Sequence, residues 1–385
     1  MRHSTIVFIA CFSLAACGPP NSPPRDSGTP RDVTTGTDAV VDSPPIDNPL
    51  VNPQSGPPAG NPDGHCAIPA EAHPADSSTP RTVVGTGTPA SCTSAAFVSA
   101  VALGGVITFN CGPAPVTITL DQTAKVVNDA SPEVVIDGGG LVTLSGGGRV
   151  RILYMNTCDQ AQHWTTPHCQ NQDTPRLTVQ NLTFVDGNST GETVEGGGGG
   201  AIFDRGGRLR VANSRFFHNQ CDPTGPDLGG GAIRALSQYN DLPVYVVNST
   251  FGGSPELGNV CSNGAGLSSI GVSYTVINSL FTHNMAIGHG ANPTTPPAPG
   301  GGSGGAIYND GNTFTLTLCG VAMHDNHANE GGGAIFFVSN DHTGSLVITD
   351  SALARNPSDG FETPGLPGIF VIASGAPTVT NSTIQ

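Results

Sequence analysis

Two short patterns alternate through residues 176–385, and their spacing constrains the fold more than any other feature. The first is a glycine run ending in Gly-Gly-Ala-Ile, at Gly199–Ile202, Gly230–Ile233, Gly304–Ile307 and Gly332–Ile335. Degenerate copies are Gly264-Ala265-Gly266-Leu267 and Gly368-Ile369. The second is an alternating apolar segment closing on Asn: Leu177–Asn181, Leu209–Asn213, Val244–Asn248, Tyr274–Asn278 and Val379–Asn381, with Gly320 and Asp350 in the equivalent place of two variant copies. These anchors recur after 32, 35, 30, 42, 30 and 31 residues. An apolar residue follows each anchor three places later: Phe184, Phe216, Phe251, Phe281, Met323, Leu353 and Ile384.

A period near 30 residues, carried by period-two strands and no helical pattern, describes a solenoid of short β-strands. Glycines fall where the backbone turns tightly or takes positive φ. The isolated apolar positions stack into a narrow core, Phe over Phe. Asn at a repeated turn stacks amide on amide, a ladder of Asn181, Asn213, Asn248, Asn278 and Asn381 that satisfies the turn internally. The expected fold is all-β, a right-handed parallel β-helix over residues 65–385. Composition agrees: 53 glycines without a three-residue period exclude collagen. Charged residues are only 11 %, which excludes a charge-rich disordered chain.

The four Gly-Gly-Ala-Ile copies, with Phe216-x-x-Asn219 and Phe281-x-x-Asn284, resemble the repeats of polymorphic outer membrane proteins. The resemblance covers residues 176–385 and implies a β-helix displayed on a bacterial surface. Those proteins typically end in a membrane barrel, which this sequence does not show. Asn381–Gln385 stops inside a repeat, so we expect a truncated chain or one without its usual cap.

Residues 1–16 read as an export signal: Arg2, an apolar run from Ile6 to Ala16, and small residues before the cut. Leu14-Ala15-Ala16-Cys17 resembles the bacterial lipobox, which implies cleavage before Cys17, diacylation of its sulfur (palmitate among the acyl groups) and a lipid anchor in the membrane. Gly18 replaces the aspartate that resembles an inner-membrane retention signal, which favours the outer membrane or cell surface. Residues 17–64 are expected to form a disordered tether, because positions 18–64 hold twelve prolines, six aspartates and no aromatic residue.

Eight cysteines follow Cys17, and an even number in an exported chain favours disulfides. Cys92 with Cys111, Cys158 with Cys169, and Cys221 with Cys261 are local staples, which leaves Cys66 with Cys319. No spacing matches a zinc site, so no metal or other cofactor is expected. Residues 92–112 read as an N-terminal cap: Thr93 starts a short helix, Phe97, Ala100 and Val101 share its face, Gly104-Gly105 ends it, and Val106–Asn110 continues as a strand. Similar caps occur in pectate-lyase-like β-helices. Val134–Gly140 begins the first coils.

Chemistry is less legible. A net charge of −15 and one lysine, Lys125, exclude nucleic acid as a partner. A lyase of this fold needs a Lys or Arg base and a cage of carboxylates for Ca²⁺. Here Lys125 stands alone near the cap, Arg149, Arg151, Arg205, Arg208, Arg210, Arg215 and Arg234 read as surface residues, and Asp204-Arg205 follows a Gly-Gly-Ala-Ile strand. Gly288-His289-Gly290 looks like a fragment of the polygalacturonase signature without its partner motifs. His218, His283 and His324, with Asp325 and Arg355, fall in one repeat column and read as exposed turn residues. Trp164, near Tyr154, lies in the loop between Cys158 and Cys169, either as a sugar-stacking ring or as an anchor for the loop. We assign no catalytic residue. The expected function is a monomeric, non-catalytic binding, adhesion or structural module for a polysaccharide or another surface molecule; the alternative is a polysaccharide lyase or glycoside hydrolase.

Overall fold

The computed structural model describes residues 48–385, apart from 53, 194–196, 293 and 295. The export signal, Cys17 and the tether as far as residue 47 lie outside the described residues. The rest is all-β in character, with parallel strands stacked in solenoid-like sheets.

A typical repeat contributes one strand to a ladder of eight and two to a longer sheet, and three repeats add a strand to a short third sheet. The Gly-Gly-Ala-Ile motifs lead into a ladder of eight parallel strands, from Ala124–Lys125 through Ile202–Arg205 to Ile369–Ile372. Its inward column is Ala124, Leu153, Ile202, Ile233, Leu267, Ile307, Ile335 and Ile369, all buried. The Asn-terminated segments form the second ladder, and the segments after the Asn turn form its continuation, with Phe216 opposite Phe184 and Phe251. A short third sheet joins Val260–Cys261, Met285–Ala286 and His327–Ala328. Because equivalent positions are Cα partners, the register places like over like, and a slip of one residue would turn every core side chain outward.

That register makes the Phe column. The rings of Phe184, Phe216, Phe251 and Phe281 lie 4.8, 4.7 and 4.6 Å apart, within 4° of parallel. This matches the strand spacing of about 4.8 Å, so the sheet, rather than a preference of the rings, sets the face-to-face geometry. Met323, Leu353 and Ile384 continue the column. Each buried ring contributes roughly 1.5–3 kcal/mol.

The anchor turn explains its own variation. Asn181, Asn213, Asn248, Asn278, Asp350 and Asn381 all have φ between 46 and 53°, and Gly320 has φ 67°. Asn, Asp and Gly are the residues that accept this left-handed conformation. From Asn181 to Asn248 the amides join one another: Asn213 Nδ2 donates to Asn181 Oδ1 at 3.1 Å, and Asn248 Nδ2 to Asn213 Oδ1 at 3.2 Å. Asn278 leaves the stack, accepting from Cys66 N at 2.9 Å and donating to Cys66 O at 3.0 Å. Asn381 occupies the same turn but is exposed.

The cap helix α1 spans Ser94–Leu103. Thr93 Oγ1 accepts from Ala96 N, Gly104 closes the helix at φ 65°, and Phe97, Ala100 and Val101 are buried in the main core. The strand that follows is Gly105–Phe109, and Glu133–Ser145 runs through the second ladder and its continuation in the first coils. Disulfides join Cys66–Cys319, Cys92–Cys111, Cys158–Cys169 and Cys221–Cys261.

One expectation needs correction. The described part of the segment read as tether up to residue 64 is bound to the stack from Asn48 onward. Arg215 Nη1 donates to Ser55 O (2.9 Å), Thr250 Oγ1 to Pro58 O (2.6 Å), Gly60 N to Thr250 Oγ1 (2.9 Å) and Asn61 N to Asn278 O (2.8 Å). The chain then turns at the Cys66–Cys319 bridge and descends through Ala75, which exchanges bonds with Gln180, and Ser77, which donates to Asp137, to the strand Thr82–Val84. The described residues between 48 and 81 therefore form a strap across the outer face of the second ladder and its continuation. Proline-rich chain needs no strand partner here, because its carbonyls meet side-chain donors on the sheet.

Candidate functional site

A cleft of about 750 Å³ lies between α1 and the start of the Gly-Gly-Ala-Ile ladder. The first two strands of that ladder, Ala124–Lys125 and Leu153–Asn156, pair so that Lys125 lies opposite Tyr154. Val98 and Ala102 of α1, Val127 and Val150 form the apolar side; Lys125, Arg151, Asp121, Asp159 and Glu192 bring the charge. Lys125, read from sequence as isolated, thus sits in a cluster. Its Nζ is 5.3 Å from the centre of the Tyr154 ring, and the Arg151 guanidinium is 5.6 Å from that ring and 4.9 Å from Phe203.

Arg151 is only 3 % exposed, which corrects its reading as a surface residue. Its Nε donates to Gly199 O at 3.1 Å and Nη2 to Gly198 O at 2.8 Å, so the glycine run before Ile202 holds a cation as well as a turn. Burial lowers its pKa, opposed by the Glu192 carboxylate. Tyr154 donates to Asp159 Oδ2 at 3.1 Å and accepts from Asn156 Nδ2 at 2.9 Å, and burial pushes its phenol up to about 12. The hydroxyl stays protonated at neutral pH.

Arg234, also 3 % exposed, lies in the same outward column one strand beyond Phe203, with Nε and Nη1 unpartnered. Burial lowers its pKa to about 10. The neighbouring carboxylate, Asp204, is fully buried in the core beside Gln238, and burial raises its pKa well above the usual value.

Arg176, Arg208 and Arg210 meet carboxylates or the strap. Arg176 pairs with Glu133 at 2.7 Å and with Asp173, and Arg208 lies 2.6 Å from Asp173. Arg210 donates to Thr178 and, at 2.9 Å, to Glu71 O of the strap. Together with Tyr245 they line a groove of about 330 Å³. Arg149 is exposed.

The histidine column is real but does not converge. His218 Nδ1 lies 2.7 Å from Asp186, which raises its pKa; His283 is lowered by burial; His324 meets Asp325 at 2.8 Å. Arg355 clamps Asp325 through Nε and Nη2 at 2.8 and 2.9 Å and holds that carboxyl far below its usual range. His289 bridges to Gly300, and Glu330 accepts from Gly290 N at 2.7 Å, so Gly288-His289-Gly290 serves as a tied turn. Trp164 is 51 % exposed on its disulfide-closed loop.

Among the described residues one trio has metal-binding groups within reach of one another: Cys66, Cys319 and Asp350. Two of these are joined as a disulfide, which removes the thiolates a soft metal takes.

Sequence reasoning missed a second, buried ladder. Asn219, Asn259, Asn284 and Asn326 each donate through Nδ2 to Oδ1 of the next in a run that ends at Asn356, at 2.9, 2.8, 2.9 and 2.8 Å. Each Nδ2 also reaches a carbonyl one coil back: Phe184, Phe216, Phe251, Phe281 and Met323. The signal was the Asn three places after the column residue, seen at Asn219 and Asn284 and repeated at Asn326 and Asn356. No known protein family, curated protein or solved structure matches the chain.

Proposed function

We propose that this chain is a lipid-anchored bacterial envelope protein, displayed at the outer membrane or cell surface, whose right-handed parallel β-helix is a non-catalytic binding or structural module. Parallel strands in one sheet are joined by right-handed crossovers in about 98 % of cases, which supports the handedness. The Gly-Gly-Ala-Ile and Phe-x-x-Asn repeats support a likeness to polymorphic outer membrane proteins. Lipidation of Cys17 is inferred from Leu14–Cys17 alone.

One observation carries the preference for binding over catalysis. The outer face of the second ladder and its continuation is occupied by the chain's own strap, fixed by Cys66–Cys319. The carboxylate on that face, Asp137, is engaged within the chain: it accepts from Ser77, Gln180 and Asn181, and although burial pushes its pKa up, these donors outweigh it. A hydrolase needs two carboxyl groups free to face a sugar.

The test combines a glycan and cell-surface binding screen of the intact protein with turnover on pectin, alginate and chondroitin, read as reducing sugar and unsaturated-uronate absorbance. Binding without turnover supports the proposal. Turnover abolished by one carboxylate substitution would establish the lyase or hydrolase alternative instead.

A further inference from the structure

We propose that the cleft beneath α1 binds a short peptide by its two free ends, the α-carboxylate against Lys125 in the field of the buried Arg151, and the ammonium against Asp121 and Glu192. The inference rests on reading the chain as a binding module. It names the site and the chemistry of a ligand.

The charges in the cleft are not all balanced by one another. Asp159 is engaged, accepting from the Tyr154 hydroxyl through Oδ2 and from Ala161 N through Oδ1 at 2.9 Å. Lys125 and Asp121 line the same cleft yet form no ion pair among the described residues. Arg151 and Glu192 supply a second cation and a second anion. Two cations and three carboxylates line the cleft, Lys125 and Asp121 without an ion pair among the described residues, and such a mixed lining fits a ligand that carries both charges.

The cations are also pre-oriented. Arg151 is held by two carbonyls and by the faces of Tyr154 and Phe203, so it loses little freedom when an anion arrives. Lys125 lies near the same ring. The apolar side formed by Val98, Ala102, Val127 and Val150 suits aliphatic side chains. Tyr154, with Lys125 and Arg151 over its ring and 2 % exposed, offers no face on which a sugar could stack. A volume of about 750 Å³ falls within the range of ligand sites, roughly 300–1,000 Å³.

The experiment is calorimetric titration of the disulfide-intact protein with trialanine, N-acetyl-trialanine, trialanine amide and trigalacturonate. Trialanine should bind, and blocking either end should weaken it at least tenfold. Lys125→Met and Asp121→Asn should each weaken it at least tenfold; both positions are exposed, and an unchanged melting temperature confirms folding. Equal affinity for the blocked peptides, or full affinity in Lys125→Met, overturns the proposal. Trigalacturonate binding that depends on Lys125, without trialanine binding, overturns the peptide ligand and leaves the binding-module reading standing. Trialanine binding with an empty glycan and cell-surface screen supports the cleft and limits the wider reading.

Discussion

Asn259 Nδ2 donates to Asn284 Oδ1 at 2.8 Å in the core of the stack, and the backbone N–H of Asn259 reaches the same oxygen at 3.3 Å. One side-chain oxygen thus satisfies two donors of the preceding coil, while Asn284 Nδ2 satisfies the Phe251 carbonyl at 3.0 Å. The amide replaces the backbone pairing that a turn interrupts.

Asn284→Ala should destabilise the protein by about 3 kcal/mol or more, because it leaves the Asn259 amide, the Phe251 carbonyl and the Asn326 oxygen short of partners. Asn213→Ala, in the outer ladder, should cost about 1–2 kcal/mol, chiefly for placing Ala at φ 49°. Asn213→Gly should cost less. Urea midpoints for the three variants check the order.

Asp204 gives a pH signature. Its folded pKa is raised by burial, so its contribution to stability is complete below the unfolded carboxylate value of about 3.9 and is lost as pH rises through the folded value. Asp204→Asn keeps an acceptor for Gln238 and removes the ionisation. Its melting temperature should exceed that of the natural protein at neutral pH, and the gap should close as pH falls toward 4. A pH-independent gap would contradict the assignment.

The Cys66–Cys319 bridge closes a loop across 253 residues and pins the apex of the strap. Cys66→Ser with Cys319→Ser should lower stability by about 2–5 kcal/mol. Limited proteolysis should then cut first between residues 48 and 81 while the stacked coils persist. Loss of the whole β signal in one step would show that the strap is not a separate unit.

Much of this was legible. Asn181, Asn213 and Asn248 repeat with a period that demands stacked strands, and Phe184 to Phe281 repeat with it. The strap was not legible: Pro57, Pro58 and Gly60 look like solvated linker, and their partners Thr250 and Asn278 lie some 190 residues or more away with no pattern to mark them. The buried Asn ladder was half hidden, because an insertion moves Asn259 eight places from Phe251 instead of three. The cleft was invisible for a different reason. Lys125, Arg151 and Glu192 come from successive coils and loops, and register rather than spacing brings them together.

The most direct test of the central claim, an anchored and surface-displayed binding module, is protease shaving of intact bacterial cells carrying the natural chain or Cys17→Ser, with detergent-phase partition of the products. The account predicts that the natural chain enters the detergent phase and is removed from intact cells, whereas Cys17→Ser is released in soluble form. A natural chain that stays in the aqueous phase, or that survives shaving until the cells are opened, would contradict it.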